Sequence, residues 1–178
     1  MKSLILKQEM KYTGAELAPH FIYRQYGLLG DSIISFIGEA DVRDSMVDIE
    51  DIRKKDFIYS PKMLHFIIEH FGMSLSEAIA RQRLFISILK DIISNGAIRK
   101  GDDLFIGKGK LSVSIATVSP VSSLIHIGIN IETKNTPVIT SGLKELGLKP
   151  LKIAEKAIKL YIEEDEGIKN ACCKVIPK

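Results

Sequence analysis

Hydrophobic and polar residues alternate most regularly between Arg99 and Ile131, where three short apolar runs are separated by two compact turns. The turns lie at residues 107–109 and 119–122 and contain glycine or proline, which are strong turn signals. The runs between them are rich in β-branched residues at alternate positions, as is typical of half-buried strands. The pattern therefore predicts an antiparallel three-strand meander.

The register of the second hairpin can be predicted from parity, because successive side chains of a strand point to opposite faces. Pairing positions of equal parity collects the apolar side chains on one face: Leu111, Val113, Ile115, Ile125, Ile127, Ile129 and Ile131. This register sets Val118 opposite Ser122, Ser114 opposite His126, Ser112 opposite Gly128 and Lys110 opposite Asn130. The even-numbered face then has small side chains in its middle, which leaves room for a packed helix or for a ligand.

The rest of the chain mixes predicted strands and helices. We predict strands at 3–8, 32–37 and 63–71, a short helix that Pro19 opens and Gly27 ends, and an acidic loop with a helical turn at 41–56. Ser74 and Glu77 predict a capping box at the start of a long helix that ends at Asn95-Gly96. After the meander we predict a loop at 132–140, a short helix from Ser141 to Gly147 and a last helix from Pro150.

These elements do not follow a regular βαβ alternation, which favours the α+β class. We therefore expect a mixed, mainly antiparallel sheet with helices packed on it. The chain has 178 residues, of which 46% are hydrophobic and 26% charged, as in ordinary folded proteins. This length is typical of one domain with a substantial core, so we predict a single domain over residues 1–178.

Composition argues against several functional classes. The net charge of +3 is too small to favour nucleic-acid binding. No apolar stretch approaches the length of a membrane span, and the N-terminus does not resemble a signal peptide. The adjacent cysteines Cys172 and Cys173 are poorly placed for a disulfide or a zinc site. We expect a reduced, cytoplasmic protein without a metal site. Its high Ile and Lys content indicates a thermophilic source, and a homodimer is the default assembly.

Four side chains are the first candidates for a ligand site. Lys110 and Asn130 are opposite each other in the predicted register, although a lysine that starts a strand is commonly solvated. His126 on the same face is either a functional group or a satisfied core histidine. Arg24 lies near two glycines and is either a contact for an anionic ligand or a surface charge.

The acidic clusters leave two interpretations open. Asp102 and Asp103 either contact a ligand or simply form a turn, since Gly-Asp-Asp is good turn chemistry. Asp48, Glu50 and Asp51 could bind a divalent ion, but a solvated acidic turn is the commoner outcome. We expect the Arg81-Gln82-Arg83 triplet to be surface residues.

The meander resembles the central motifs of the biotin–protein and lipoate–protein ligases. Those enzymes have an Asn-Asp-hydrophobic turn, a Lys-hydrophobic-small segment and a strand close to Gly-Ile-Gly-Ile-Asn-Val. The corresponding residues here are Asp102-Asp103-Leu104, Lys110-Leu111-Ser112 and the strand from His126 to Ile131. The whole chain is most similar to a family of uncharacterised archaeal proteins that share this ligase-like fold.

The resemblance implies a mechanism and a set of site residues. Such ligases join a carboxylic acid to ATP, with Mg²⁺, as an acyl-adenylate and pass the acyl group to a lysine of an acceptor protein. Lys110 would be the catalytic cation that stabilises charge on the carboxylate and phosphate oxygens. Asp103 would help to hold metal or nucleotide, and Asn130 would orient a polar ligand group. Ser112, His126 and Gly128 would complete the ligand-binding face.

The chain also departs from the ligase pattern. The ligases have a glycine- and arginine-rich loop that covers the adenylate, and its place here is roughly residues 59–63, which contain neither residue type. His126 replaces the first glycine of the last motif, and Val113 stands where a glycine often follows the lysine. Two hypotheses follow: an enzyme or binder of a small carboxylic acid or its adenylate, or a non-catalytic oligomeric interaction protein that has lost ligase chemistry.

Overall fold

The computed structural model describes residues 1–94 and 96–176. Its elements follow the chain in this order: β1 (Lys2–Ile5), α1 (Phe21–Tyr26), β2 (Ser32–Val42), α2 (Ile49–Lys54), β3 (Ile58–Phe71), α3 (Leu75–Ile93), β4 (Ala97–Lys100), β5 (Asp103–Ile106), β6 (Gly109–Lys110), β7 (Ser112–Val118), β8 (Ser122–Glu132) and α4 (Pro150–Cys173).

A five-stranded sheet with the order β1-β2-β3-β8-β7 forms the centre of the fold, and β4, β5 and β6 form a small second sheet. The β1–β2 pair is parallel, and the other pairs of the main sheet are antiparallel. The mixed, mainly antiparallel sheet predicted from the sequence is therefore confirmed. The first strand of the predicted meander was placed wrongly, because β5 pairs with β4 and β6 rather than with β7.

The three long strands β2, β3 and β8 are buried on both faces, which explains their nearly continuous apolar sequences. One face packs against α3 and α4 and contributes Ile33, Leu64, Phe66, Ile68, Ile125, Ile127 and Ile129 to the larger core. The opposite face contributes Ile34, Phe36, Ile67 and Leu124, which are covered by Tyr12, Leu17 and Ile22 of the N-terminal segment. The candidate site lies on this second face.

The two long helices begin and pack much as their sequences predict. The Ser74 side chain accepts the Glu77 amide while the Glu77 carboxylate accepts the Ser74 amide, so the predicted capping box is confirmed. The predicted end of α3 at Asn95 lies outside the described residues. Helix α4 begins at Pro150, as predicted, and buries a stripe of residues: Ile153, Ala154, Ala157, Ile158, Tyr161 and Asp165.

The predicted register of the second hairpin is wrong by one residue. Val118 pairs with Ser123, Ile115 with His126 and Val113 with Gly128. The connection is one residue longer than predicted because the Ser119 hydroxyl accepts the amides of residues 121 and 122, which stabilises a four-residue turn. The shift turns the apolar side chains of β7 toward the site and its small ones toward α3.

Two further predictions are corrected. Residues 141–147 form turns rather than a short helix, because the amides of Leu143 and Lys144 donate to the carbonyls of Asn130 and Ile131 at the end of β8. Of the Arg81-Gln82-Arg83 triplet, which was predicted to lie on the surface, only Arg83 is exposed. Gln82 is buried and its amide donates to Asp102 and Ser114, and Arg81 lies beside the buried carboxylate of Asp165.

Candidate functional site

Two adjoining cavities open on the second face of the sheet, below the segment that connects β2 to β3. Their volumes are about 280 Å³ and about 290 Å³. Both are lined by Asp51, Ile58, Lys110 and Val113, so these residues form a seam between them. We call the first the polar cavity and the second the apolar cavity, after the side chains that line each of them.

Lys110 is the cation at the seam. Its Nζ lies 2.8 Å from Oδ2 of Asp103 across the small sheet. Its carbonyl accepts a hydrogen bond from Nδ2 of Asn130 at 3.1 Å, and Oδ1 of Asn130 accepts one from the Ser60 hydroxyl at 2.9 Å. Burial raises the pKa of the Asp103 carboxyl, although the Lys110 ammonium opposes this rise. The lysine is thus fixed at its backbone and keeps donor hydrogens that Asp103 does not use.

The apolar cavity is shaped by side chains of β3 and β7 and by two loops. Its apolar lining residues are Phe57, Ile58, Met63, Val113, Pro137 and Val138. Gly128 lies beneath Met63 and Val113, and a Cβ atom there would be 2.8 Å from Cε of Met63 and 3.4 Å from Cγ2 of Val113. A larger residue at this position would therefore force the flexible end of the Met63 side chain to move.

The polar cavity is lined by four carboxylates, from Asp48, Asp51, Asp102 and Asp103. Three of them have partners within the protein. Asp48 accepts the first amides of α2, Asp102 accepts the Gln82 amide, and Asp103 pairs with Lys110. The Asp51 side chain makes no hydrogen bond with the residues that the structure describes. Burial, with the neighbouring Asp48 and Asp56 charges, raises the pKa of Asp51.

His126 forms part of the polar cavity wall and is paired with the buried His65 behind it. Nδ1 of His65 lies 3.1 Å from Nε2 of His126, and Nε2 of His65 lies 3.2 Å from the Gly38 carbonyl oxygen. The Tyr12 ring stacks on His126 with 3.7 Å between centroids. Burial lowers the pKa of His65 to about 4 and holds the pKa of His126 well below its usual range. Both rings are therefore neutral at physiological pH.

The structure brings most of the predicted site residues together. Lys110, Asp103 and His126 line the polar cavity, Asn130 lines the apolar cavity, and Gly128 lies beneath the apolar side chains. Two candidates lie elsewhere. Ser112 is fully buried on the α3 side of β7, where its hydroxyl accepts the Leu104 amide at 2.8 Å. Arg24 is exposed on α1 and lines neither cavity.

Several site residues were not identified from the sequence. The sequence offered Asp51 only as part of a possible divalent-ion site or a solvated acidic turn, and its position between the two cavities appears only in the structure. Met63 and His65 follow the apolar pattern of a buried strand and give no separate signal. The place assigned to the ligase loop, residues 59–63, lies within β3. The cavities are instead covered by the connection at 43–57, which includes α2.

Neither a metal cluster nor a membrane-spanning helix is found within the described residues. No group of three or more His, Cys, Asp or Glu side chains in residues 1–94 and 96–176 is arranged to hold a metal ion. Over the same part of the chain, every helix is too short or too polar to cross a membrane. Cys172 and Cys173 are exposed free thiols at the end of α4.

The sequence of the chain matches a family of unknown function. The profile of a family described as "Domain of unknown function (DUF366)" matches residues 1–176. The uncharacterised protein MJ0805 of Methanocaldococcus jannaschii is 34% identical over 188 aligned residues, which cover 99% of this chain and 85% of that protein. A protein of unknown function from Pyrococcus horikoshi is 38% identical, with a TM-score of 0.95 and complete coverage of both chains.

Structural comparison extends the likeness to ligases. Biotin protein ligase from Aquifex aeolicus in complex with biotin and ATP has a TM-score of 0.55 and 14% identity, covering 91% of this chain and 69% of that chain. Lipoate-protein ligase A bound with ATP has a TM-score of 0.56 and 14% identity, with coverages of 92% and 85%. At this identity the likeness shows the fold alone. The ligase-like α+β fold expected from the sequence is confirmed.

Proposed function

Because the chain belongs to the DUF366 family and shares its fold with biotin– and lipoate–protein ligases, we propose that it binds a small carboxylic acid. The ligand's carboxylate contacts Nζ of Lys110, and its aliphatic tail lies in the apolar cavity. The observation that carries this proposal is the position of Lys110, a half-buried ammonium at the seam between an apolar and a polar cavity.

A cavity of this kind suits an amphipathic ligand. Ligand sites are mostly apolar, with a few polar groups that fix orientation. Met63, Val113 and Val138 offer the tail an apolar surface, while Lys110 offers the head group a charge-assisted hydrogen bond. Burying each methylene contributes about 0.8 kcal/mol, which corresponds to roughly a fourfold gain in affinity. Affinity should therefore rise with chain length until the cavity is full.

The residues of the polar cavity do not fit ATP. The phosphates of ATP would meet the carboxylates of Asp48, Asp51, Asp102 and Asp103, and Lys110 alone cannot offset the several negative charges of a triphosphate. We found no metal-binding arrangement within the described residues that would offset this repulsion. Acyl transfer through an adenylate to an acceptor protein, which the resemblance implies, is therefore not part of the proposed function.

Calorimetric titration of the full-length protein with butanoate, hexanoate and octanoate tests the proposal. Lys110→Met removes the charge and keeps an apolar stem, and Lys108→Met at an exposed position in the preceding turn is the matched control. Loss of a hydrogen bond to a charged group costs about 1.5–3 kcal/mol, so Lys110→Met should weaken octanoate binding about tenfold or more. The control should bind like the wild type.

Two results would contradict the proposal. Equal octanoate affinity for the two lysine variants would remove Lys110 from the site. Failure of the wild type to bind any of the acids at millimolar concentration would favour the alternative, a non-catalytic oligomeric interaction protein, and sedimentation analysis would then test for a homodimer. ATP–pyrophosphate exchange with octanoate is a separate measurement. We expect none, and exchange that requires octanoate would restore the adenylate mechanism.

A further inference from the structure

We propose that the acid bound at this site also carries a protonated amine. The ligand is then zwitterionic: its ammonium donates to the Asp51 carboxylate and to Nδ1 of His126 in the polar cavity, while its carboxylate contacts Lys110. This inference rests on the proposed function for the carboxylate and the tail. It adds the chemical class of the ligand, which is an amino acid with an aliphatic side chain.

The first observation is a surplus of acceptors in the polar cavity. Asp51 lines the seam but makes no hydrogen bond with residues 1–94 or 96–176, unlike the three other carboxylates. With four carboxylates and one lysine in its lining, the cavity has a formal charge of about −3 by simple side-chain ionisation. A ligand that brings hydrogen-bond donors and positive charge is therefore stabilised there.

The second observation is the unpartnered nitrogen of His126, whose side chain is only 3% exposed. The Gly38 carbonyl can only accept, so Nε2 of His65 carries the hydrogen in that contact. Neutral His65 then has a lone pair on Nδ1, and Nε2 of His126 must be the donor at 3.1 Å. The remaining nitrogen, Nδ1 of His126, is an acceptor that makes no hydrogen bond within the described part of the chain.

This acceptor belongs to the wall of the same cavity as Asp51. Because His126 lines the cavity and this nitrogen has no protein partner there, a ligand donor can reach it and form a hydrogen bond. The low pKa of His126, a consequence of burial and of the neighbouring His65, keeps the ring in the accepting form. The contact with His65 thus makes His126 a hydrogen-bond acceptor in the cavity wall, and this acceptor is independent of the acidic cluster.

The positions of Asp51 and Lys110 at the seam favour a ligand whose positive and negative charges are close together. Asp51 and Lys110 line both cavities, so an acceptor for an ammonium and a donor for a carboxylate occur in the same shared wall. A 2-amino acid carries its two charges on neighbouring carbons and its side chain on the same centre, which matches this arrangement. A metal ion is a poorer match because the described residues offer no set of three suitable ligands.

Three ligands of equal chain length test the inference by calorimetry: 2-aminooctanoate, octanoate and octylamine. We expect 2-aminooctanoate to bind about tenfold or more tightly than either of the others, as two charge-assisted contacts replace one. Asp51→Asn removes the negative charge at a half-buried position, and Glu50→Gln is the matched control because Glu50 is exposed on the same helix and lines neither cavity. Asp51→Asn should abolish the advantage of 2-aminooctanoate and leave octanoate affinity equal or higher.

The outcomes separate this inference from the proposed function. If octanoate binds as tightly as 2-aminooctanoate, or if Glu50→Gln has the same effect as Asp51→Asn, the ammonium site is wrong and the acid site stands. If octylamine equals 2-aminooctanoate and Lys110→Met changes neither, the carboxylate assignment is wrong and the zwitterion is excluded. If none of the three binds the wild type, both proposals fail.

Discussion

Arg81 and Asp165 form a buried ion pair. Replacing one of these residues should lower the free energy of unfolding much more than replacing both. Asp165 on α4 is fully buried, and its Oδ1 lies 3.4 Å from a guanidinium nitrogen of Arg81 on α3, whose side chain is 12% exposed. Nζ of Lys169, one turn further along α4, lies 2.8 Å from the other carboxylate oxygen. Neither Asp165 oxygen has a hydrogen bond of good geometry. Burying these charges costs desolvation free energy, and their attraction at this geometry offsets that cost only in part.

Removing one partner of a buried ion pair typically costs about 3–5 kcal/mol. We expect Asp165→Leu to lie near the lower limit, at about 3 kcal/mol, because the long Arg81 side chain can move its charge toward water. Arg81→Met should cost about 2 kcal/mol, since Lys169 still neutralises Asp165. The double variant should differ from the wild type by less than about 1 kcal/mol, because well-packed apolar residues commonly replace buried ion pairs without loss.

Urea denaturation of the four proteins closes the double-mutant cycle. The coupling free energy should be at least about 4 kcal/mol. Each single variant should also melt lower, since about 1 kcal/mol shifts the midpoint by roughly 2–4 °C in a chain of this size. Additive losses in the double variant, with a coupling below about 0.5 kcal/mol, would refute the reasoning. The two side chains would then contribute separately, and α4 would be held mainly by its apolar stripe.

Two further predictions concern Asp31, which precedes β2, and Gly128 beneath the apolar cavity. Asp31 accepts the Phe71 amide and lies near His70 and Lys169, and the His70 contact is the largest cause of its lowered pKa. Ionised Asp31 therefore stabilises the folded state at pH values above about 3.9, the pKa of Asp in an unfolded chain. This stabilisation is lost as the pH falls below that value. Asp31→Asn should flatten the loss of unfolding free energy in urea titrations below about pH 4, and an unchanged acid slope would contradict this. Gly128→Ala should displace Met63 into the apolar cavity at a cost of about 1 kcal/mol in stability, and should weaken octanoate binding in calorimetry. Unchanged octanoate affinity would show that Met63 does not shape the ligand site.

Much of the candidate site could be predicted because its motif residues are close in sequence. Lys110, Asp103 and Asn130 come from one continuous stretch. The pairing of β5 with β6 brings Asp103 to Lys110, and the β7–β8 hairpin brings Asn130 to Lys110. Ser112 was assigned to the wrong face because parity depends on the length of the turn at 119–122, and a one-residue error exchanges the faces of the strand. Residues contributed by distant segments, such as Asp51 and His65, could not be placed without the fold.

Helix starts and the buried faces of the two long helices follow from the sequence alone. The capping box at Ser74, the start of α4 at Pro150 and the apolar runs of β3 and β8 depend on interactions between near neighbours, so local pattern predicts them. The cavity that each polar side chain lines depends on the tertiary structure. Hydrogen-bond partners that are distant in sequence, such as His65 with His126, are set by strand order and register. Those depend on the packing of the whole sheet and on no single segment.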